Sequence, residues 1–423
     1  MTAPAPPLDA RERRRGRILA VASHPTGFVF RRVFTENLPT LALISLGASE
    51  FQVGLQGAFV FAFVALQLPT LRLVGHVSKR AILMGAHVFT LLAALPLLFF
   101  DRFAVLPQAS AIALAQLSFA LVAAGACIGE TVWFPLLRGY IEPGQTGRFF
   151  GVLRSGWHLT LLLFYVGSQW WLTQHPGAFA PLFAVGWGLG FTRTFLIANL
   201  PERSERTGER VRVREALALA RDPRLARYLA ISLGNALRVT ALIFAIVMLR
   251  RAVGMSEGEV VKNTIALIAG GLISLYAWGR VVDRVGAIPV LQATAAGMAL
   301  SLLLLALAPE SALVVSWTAL WFFVMSLLLS GFGVADTHLL FELTPPEQPA
   351  RTLVLGAVST GLASGIAPLL AGAALDLVLP ADPAGALRVY RVFFAVLALL
   401  MASVLLPTRG LVSSGPPQTR RPS

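Results

Sequence analysis

The sequence predicts an all-α polytopic membrane protein of twelve transmembrane helices, arranged as two pseudo-symmetric six-helix bundles. Three observations predict it. The 423 residues are 56% hydrophobic and only 13% charged, with mean hydropathy +0.72, whereas a soluble domain runs about 45–50% apolar and about 25% charged. The apolar residues fall in separate continuous runs of roughly twenty, the length of a membrane-spanning helix, not in the alternating segments of about ten that build a membrane barrel. The second half of the chain also repeats charged and turn-forming residues of the first half at a nearly constant offset.

Taken in order, residues 1–27 are expected to form a basic cytoplasmic tail. Its stretch RERRRGRILAVASHP holds an apolar piece, ILAVA, too short for the core of a secretory signal, and His24-Pro25 follows it. The N-terminal bundle, 28–199, is expected to hold helices over 28–48, 51–71, 81–100, 108–133, 149–172 and 178–199. Residues 200–227 contain PERSERTGERVRVREALALARDPR, too polar to span, and are expected to form a cytoplasmic linker with an amphipathic helix around Glu215–Arg221 at the membrane surface. The C-terminal bundle, 228–406, is expected to hold helices over 228–250, 258–280, 286–308, 311–337, 351–379 and 386–406, followed by a cytoplasmic tail, 407–423. Pro39 and Pro69 are expected to bend the first two helices.

The formal charge of +14 would suggest nucleic acid for a soluble chain. In a membrane protein it follows from the enrichment of arginine in cytoplasmic loops. Placing both termini in the cytoplasm puts 25 of the 35 basic residues on that side, among them Arg72, Lys79, Arg80, Arg138 and the eight arginines from Arg203 to Arg227. Few lie opposite, such as Arg102, Arg250 and Arg388. Trp170 and Trp171 at the outer end of the fifth helix suit an interfacial aromatic belt. The expected location is therefore the cytoplasmic (plasma) membrane, the cell inner membrane of a bacterium. The single cysteine, Cys127, and six scattered histidines supply no disulfide framework and no metal-ligand spacing.

Charge inside a membrane helix is costly and by default marks function. FRRVFTENLP, at the front of the first helix, carries Arg31, Arg32, Glu36 and Asn37. LGASEFQVGL after that helix and VGMSEGEVVK after the seventh align Gly47, Ser49 and Glu50 with Gly254, Ser256 and Glu257 at an offset of 207. The same offset places Arg31 on Arg238. In the fourth and tenth helices, GACIGETVWF and GFGVADTHLL align Gly125, Glu130 and Thr131 with Gly331, Asp336 and Thr337 at an offset of 206. Each half thus has an arginine in its first helix and a carboxylate late in its fourth. These groups either line a wet cavity, binding solute or carrying protons, or else Arg31 and Arg32 snorkel to headgroups and the acids pair with loop arginines. Arg32 and Glu36, at i and i+4, are placed to neutralise each other. Arg238 has nothing near it in sequence to offset its charge.

Twelve helices, a six-plus-six repeat and a long middle loop resemble the major facilitator superfamily. GRVVDRVG, Gly279 to Gly286, is similar to that family's Gly-x-x-x-Asp-Arg-x-Gly loop, and the resemblance implies a conformational latch built on Gly279, Asp283, Arg284 and Gly286. Asp283 at a helix end is expected to bond backbone amides and pair with arginine. The corresponding first-half loop, LRLVGHVSKR, departs from the pattern, with Gly75 at the aspartate position and Ser78 at a glycine position. EPGQTGRFFG and PPEQPARTLVLG also look family-like, placing Arg148 and Arg351 in latch loops. The resemblance further implies that the first, fourth, seventh and tenth helices line a central cavity, which would gather Arg31, Glu36, Glu130, Arg238 and Asp336.

Gly186, Gly188 and Gly190 lack the strand and spacing of a dinucleotide loop and are expected to serve close helix packing, as is Gly125-x-x-x-Gly129. There is no nucleophile–base constellation and no phosphate loop, so the expected protein is not an enzyme and needs no cofactor. The function that follows is secondary active transport of a small solute by alternating access. A proton-coupled exporter (efflux) of a small hydrophobic or anionic compound is the specific form. Its partners are the solute, H+ and the bilayer, with no nucleic acid and no obligatory protein partner. The competing reading is a non-transporting membrane sensor or binding protein of the same fold.

Overall fold

A computed structural model describes residues 8–74, 76–141, 146–202, 223–343 and 349–408. Among these residues there are helices, turns and no strand. The chain divides into two compact units, 1–210 and 211–423. The first unit contains α1 (Ala10–Thr35), α2 (Asn37–Ser45), α3 (Glu50–Ala62), α4 (Gln67–Val74), α5 (Lys79–Ala94), α6 (Gln108–Arg138), α7 (Thr146–Gln174) and α8 (Ala180–Ala198). The second contains α9 (Pro223–Arg251), α10 (Glu257–Val285), α11 (Ala287–Leu307), α12 (Val315–Leu343), α13 (Pro349–Val378), α14 (Pro383–Ser403) and the short α15 (Leu405–Thr408). Among the described residues nine helical segments are long and apolar enough to cross a bilayer. They match all the expected spans except the first, second and fifth, which correspond to α1–α2, α3–α4 and α7. Large apolar side chains such as Leu163, Phe195, Ile273, Leu307 and Leu399 stand more than half exposed, a coat that suits lipid and not water.

Two expected boundaries are corrected. The basic tail is not a separate segment, because α1 begins at Ala10. Asp9 accepts from the Glu12 backbone N–H at 2.7 Å, and the Glu12 carboxylate accepts from the Asp9 N–H at 2.9 Å. This reciprocal cap starts the helix ahead of the arginines. The linker likewise ends earlier than expected, since residues 223–227 already belong to α9. The expected amphipathic helix around Glu215–Arg221 lies outside the described residues.

The first expected span is broken rather than bent. Glu36 has φ −118° and ψ −134°, outside the helical region, and separates α1 from α2. Pro39 has no N–H to give to Thr35, four residues earlier. The Thr35 carbonyl instead accepts from Gln56 Nε2 at 3.4 Å, while Gln56 Oε1 accepts from the Thr40 hydroxyl at 3.1 Å. Gln56 is buried on α3 and so satisfies the polar groups that the break exposes. Gln56→Leu is expected to cost about 1–3 kcal/mol by stranding two buried polar groups, read as a lower thermal midpoint for the purified chain. Pro69 acts similarly: the residue four before it, Ala65, lies in a 3₁₀ turn, Phe63–Leu66, between α3 and α4.

The repeat GASE/GMSE is a helix cap used twice. Gly47 and Gly254 have φ of 78° and 80°, the left-handed region that glycine enters without a Cβ penalty. Ser49 and Ser256 then cap α3 and α10, each in a reciprocal cap with Gln52 or Glu259. Glu50 and Glu257 follow in the first turn, both buried, where the helix N-terminus favours a negative charge. Arg250 Nη2 reaches Glu257 at 3.5 Å.

Small residues set the helix spacing in each unit. A Cβ at Gly186 would lie 2.7 Å from Val33, and one at Gly190 would lie 2.5 Å from Phe30, so α8 meets α1 at near-backbone distance. A Cβ at Gly125 would lie 2.5 Å from Thr90 on α5, and one at Gly331 would lie 2.8 Å from Thr294 on α11. The aligned glycines therefore both face the third segment of their unit, and Gly331 also seats the Trp278 ring of α10, 2.6 Å from where its Cβ would stand. At one end of the first unit, Glu202 accepts from the Lys79 and Arg80 backbone N–H groups, both at 2.8 Å, and Arg80 Nη1 donates to the Leu200 carbonyl at 2.9 Å. A carboxylate distant in sequence thus caps α5 directly beyond the degenerate loop at Gly75.

Candidate functional site

Each unit has its own cluster of buried charge, placed by α1, α6 and α8 in the first and by α9 and α12 in the second. In the first unit Arg31, on α1, forms an ion pair with Glu130 on α6. The side chains are 26% and 38% exposed, so the pair is partly sheltered. Arg32 pairs with Glu36 one turn along its own helix and lies 4.6 Å from the centre of the Phe28 ring. Glu36 is therefore both the break residue and a partner of Arg32. Asn37 is the first residue of α2 and is half-buried.

The Arg31–Glu130 pair borders a cavity of about 50 Å³ whose wall also holds His24, His87, Trp133 and Arg193. His24 stacks parallel on Trp133 at 5.7 Å between ring centres. Arg193, from α8, lies 4.8 Å over the Trp133 ring and is buried. None of these four residues was among the candidates from sequence. A signal for Arg193 existed: it stands alone in the apolar run GWGLGFTRTFLIANL, the same criterion that selected Arg238.

In the second unit the aligned arginine and carboxylate, Arg238 and Asp336, form no ion pair. Asp336, on α12, accepts from the Ser232 hydroxyl at 2.9 Å and from Asn235 Nδ2 at 3.2 Å. Both donors come from α9 and are buried. Arg238 makes no ion pair with any described residue, and its Nε is buried without a hydrogen-bond partner. Its guanidinium lies beside Gly333, 4.0 Å from where a Cβ would stand, one helical turn before Asp336. The reason is register: Asn235 and Ser232 face α12 one and two turns before Arg238, at the level of the carboxylate. Equivalent positions thus hold different arrangements, a carboxylate closed on arginine in one unit and a carboxylate held by neutral donors in the other.

The residues expected to form latches occupy helix ends. Gly286, at φ 85°, closes α10 by donating its N–H to the Val282 carbonyl at 2.9 Å. Asp283 and Arg284 are exposed in the last turn, and Gly279 lies one turn earlier. The expected bonds from backbone amides to Asp283 do not occur among the described residues, and the free groups at the C-terminus of its own helix are carbonyls. Arg148 and Arg351 fall in the first turns of α7 and α13, and Gly75 lies outside the described residues. No group of three or more His, Cys, Asp or Glu side chains that could hold a metal occurs among the described residues.

A family model described as Major Facilitator Superfamily matches residues 27–335. No curated protein matches the chain by sequence. Among solved structures, the chain is similar to the nucleoside transporter NupG, with a TM-score of 0.70 and 12% identity over 95% of this chain and 100% of that one. It is similar to a bacterial homolog of the human lysosomal transporter Spinster, inward-facing and occupied, with a TM-score of 0.70 and 13% identity over 96% and 98%. It is also similar to a D-xylose-proton symporter, with a TM-score of 0.67 and 16% identity over 94% and 98%. At these identities the likeness is one of fold.

Proposed function

This chain belongs to the Major Facilitator Superfamily, and from that premise we propose that it is a secondary active transporter coupling proton movement to export of a small solute across the cytoplasmic membrane by alternating access. The observation that carries the proton coupling is the difference between the two aligned carboxylates. A proton added to Glu130 breaks an ion pair with Arg31. A proton added to Asp336 breaks none, since the Ser232 hydroxyl can turn from donor to acceptor and keep its bond. Asp336 is therefore the group assigned to proton uptake and release. A D-xylose-proton symporter among the similar structures supports coupling of this kind on this fold.

Arg238, one turn from Asp336 and without an ion-pair partner among the described residues, is assigned to the negative group of an anionic solute. Binding that differs between the proton-loaded and proton-free states lets a gradient do work. Asp283 and Arg284, with Arg148 and Arg351, are assigned to latching the inside loops, and the arginine bias places both termini in the cytoplasm.

The test uses purified protein in proteoliposomes, with solutes chosen from anionic and lipophilic compounds that raise its thermal midpoint. Accumulation against the solute gradient is expected when a pH gradient is imposed, and collapse when a protonophore is added. Uptake at the same rate with and without the gradient removes the proton coupling. Stabilising compounds that never cross the membrane favour the non-transporting binding protein. Arg238→Ala is expected to cut transport of an anionic solute by roughly tenfold to a hundredfold at normal expression, the loss of one charge-assisted contact. Unchanged transport takes Arg238 out of the solute path.

A further inference from the structure

The cavity inside the first unit carries more hydrogen-bond donors and more positive charge than its own residues satisfy. His24 Nδ1, His87 Nδ1, Trp133 Nε1 and Arg193 Nε are all buried without a hydrogen-bond partner, and all four residues belong to the one cavity wall. The indole and guanidinium nitrogens can only donate, so no rearrangement among themselves relieves them. With both histidines neutral, the wall sets two guanidinium groups, Arg31 and Arg193, against one carboxylate, Glu130. Glu130 is closed on Arg31. Arg193 is left over: it is 8% exposed, makes no ion pair with a described residue, and rests on the Trp133 ring.

The backbone of α1 is shaped to keep that arginine inside. A Cβ at Gly27 would lie 1.8 Å from Arg193 Cδ and 1.9 Å from Nη1, so any larger residue would displace the side chain. A buried cation without a counter-charge is expensive, and a protein keeps one where an anion arrives to meet it. The space is about 50 Å³, above the roughly 10–15 Å³ that one water needs, so there is room for a small ion.

We propose that this cavity is a binding site for a small monovalent anion, of the size of chloride or a single carboxylate group, with Arg193 as its counter-charge and Trp133 and the histidines as donors. The anion comes either from the medium as an inorganic ion or as the carboxylate end of an organic molecule. The site is built from residues of the first unit alone, and its occupancy is measured without transport.

The experiment measures binding of radiolabelled chloride, and separately of formate, to the full-length protein in detergent, with sulfate, a larger dianion, holding ionic strength constant. Saturable chloride binding that formate displaces is expected for the wild type. Arg193→Gln is expected to weaken it by about tenfold or more. Ala126→Leu, which fills the cavity without touching a charge, is expected to weaken it similarly, and Arg193→Lys is expected to retain part of it. Formate binding without chloride binding supports the site and assigns it to a carboxylate. No saturable binding of either anion to the wild type overturns the proposal whatever the variants do, and so does binding that neither Arg193→Gln nor Ala126→Leu changes. Because no transport is measured, failure here leaves the transporter reading where it stands.

Discussion

Asp336→Asn is expected to abolish accumulation driven by a pH gradient while leaving exchange of solute across the membrane intact. Asparagine keeps the size of the side chain: its oxygen accepts from Asn235, and the Ser232 hydroxyl turns to accept from its amide NH2, so the packing of α9 on α12 is retained. What it removes is the ability to gain and lose a proton. One proton moved per solute across two pH units supports about a hundredfold accumulation, and the variant should fall to equal concentrations inside and out. Counterflow of labelled solute against unlabelled should continue, because it needs no net proton movement. The measurement is accumulation and counterflow in the same proteoliposome preparation. A variant that still concentrates solute in response to the gradient would remove Asp336 from the proton path.

The second large effect concerns stability. Glu130→Gln leaves Arg31 and Arg193 facing one cavity with no carboxylate, whereas Arg31→Gln leaves Glu130 with Arg193 still nearby. The first should therefore be the more damaging. Removing one member of a fully buried pair costs about 3–5 kcal/mol. Since these side chains are 26% and 38% exposed, roughly 1–3 kcal/mol is expected for Glu130→Gln, a fall of several degrees in thermal midpoint for a unit of this size. The double variant should be less destabilised than the sum of the singles. Equal midpoints for the two single variants would show that Arg193 does not share the electrostatics of the pair.

The fold was largely legible because its signals are periodic and redundant: twenty-residue apolar runs, prolines at the two interrupted helices, and a glycine–serine turn occurring twice. Gly47 and Gly254 were found as a repeat, and their structural role is the φ near 80° that the repeat requires. The start of α1 was misplaced because the density of arginine concealed the Asp9/Glu12 cap. The candidate site was legible in part. Intramembrane charge selected Arg31, Glu130, Arg238 and Asp336, but not their partners, since spacing along a chain does not say which helices meet. Ser232 and Asn235 are ordinary polar residues in an apolar run, and only the packing of α9 on α12 makes them the ligands of a carboxylate. Arg193 stands beside glycines whose spacing reads as helix packing, so those neighbours do not mark it as part of a site.

The buried amides in the two units carry a mechanical consequence. Gln56 and Asn263 stand at the same offset as the capping serines and are almost fully buried, yet Gln56 grips the interruption after Thr35, whereas Asn263 accepts from Thr318 on α12 at 3.0 Å. The helix aligned with α1–α2 is the uninterrupted α9. Compliance is thus built into one half of a duplicated architecture, and any bending of a leading helix during a working cycle has its elbow at Glu36, with no counterpart in α9.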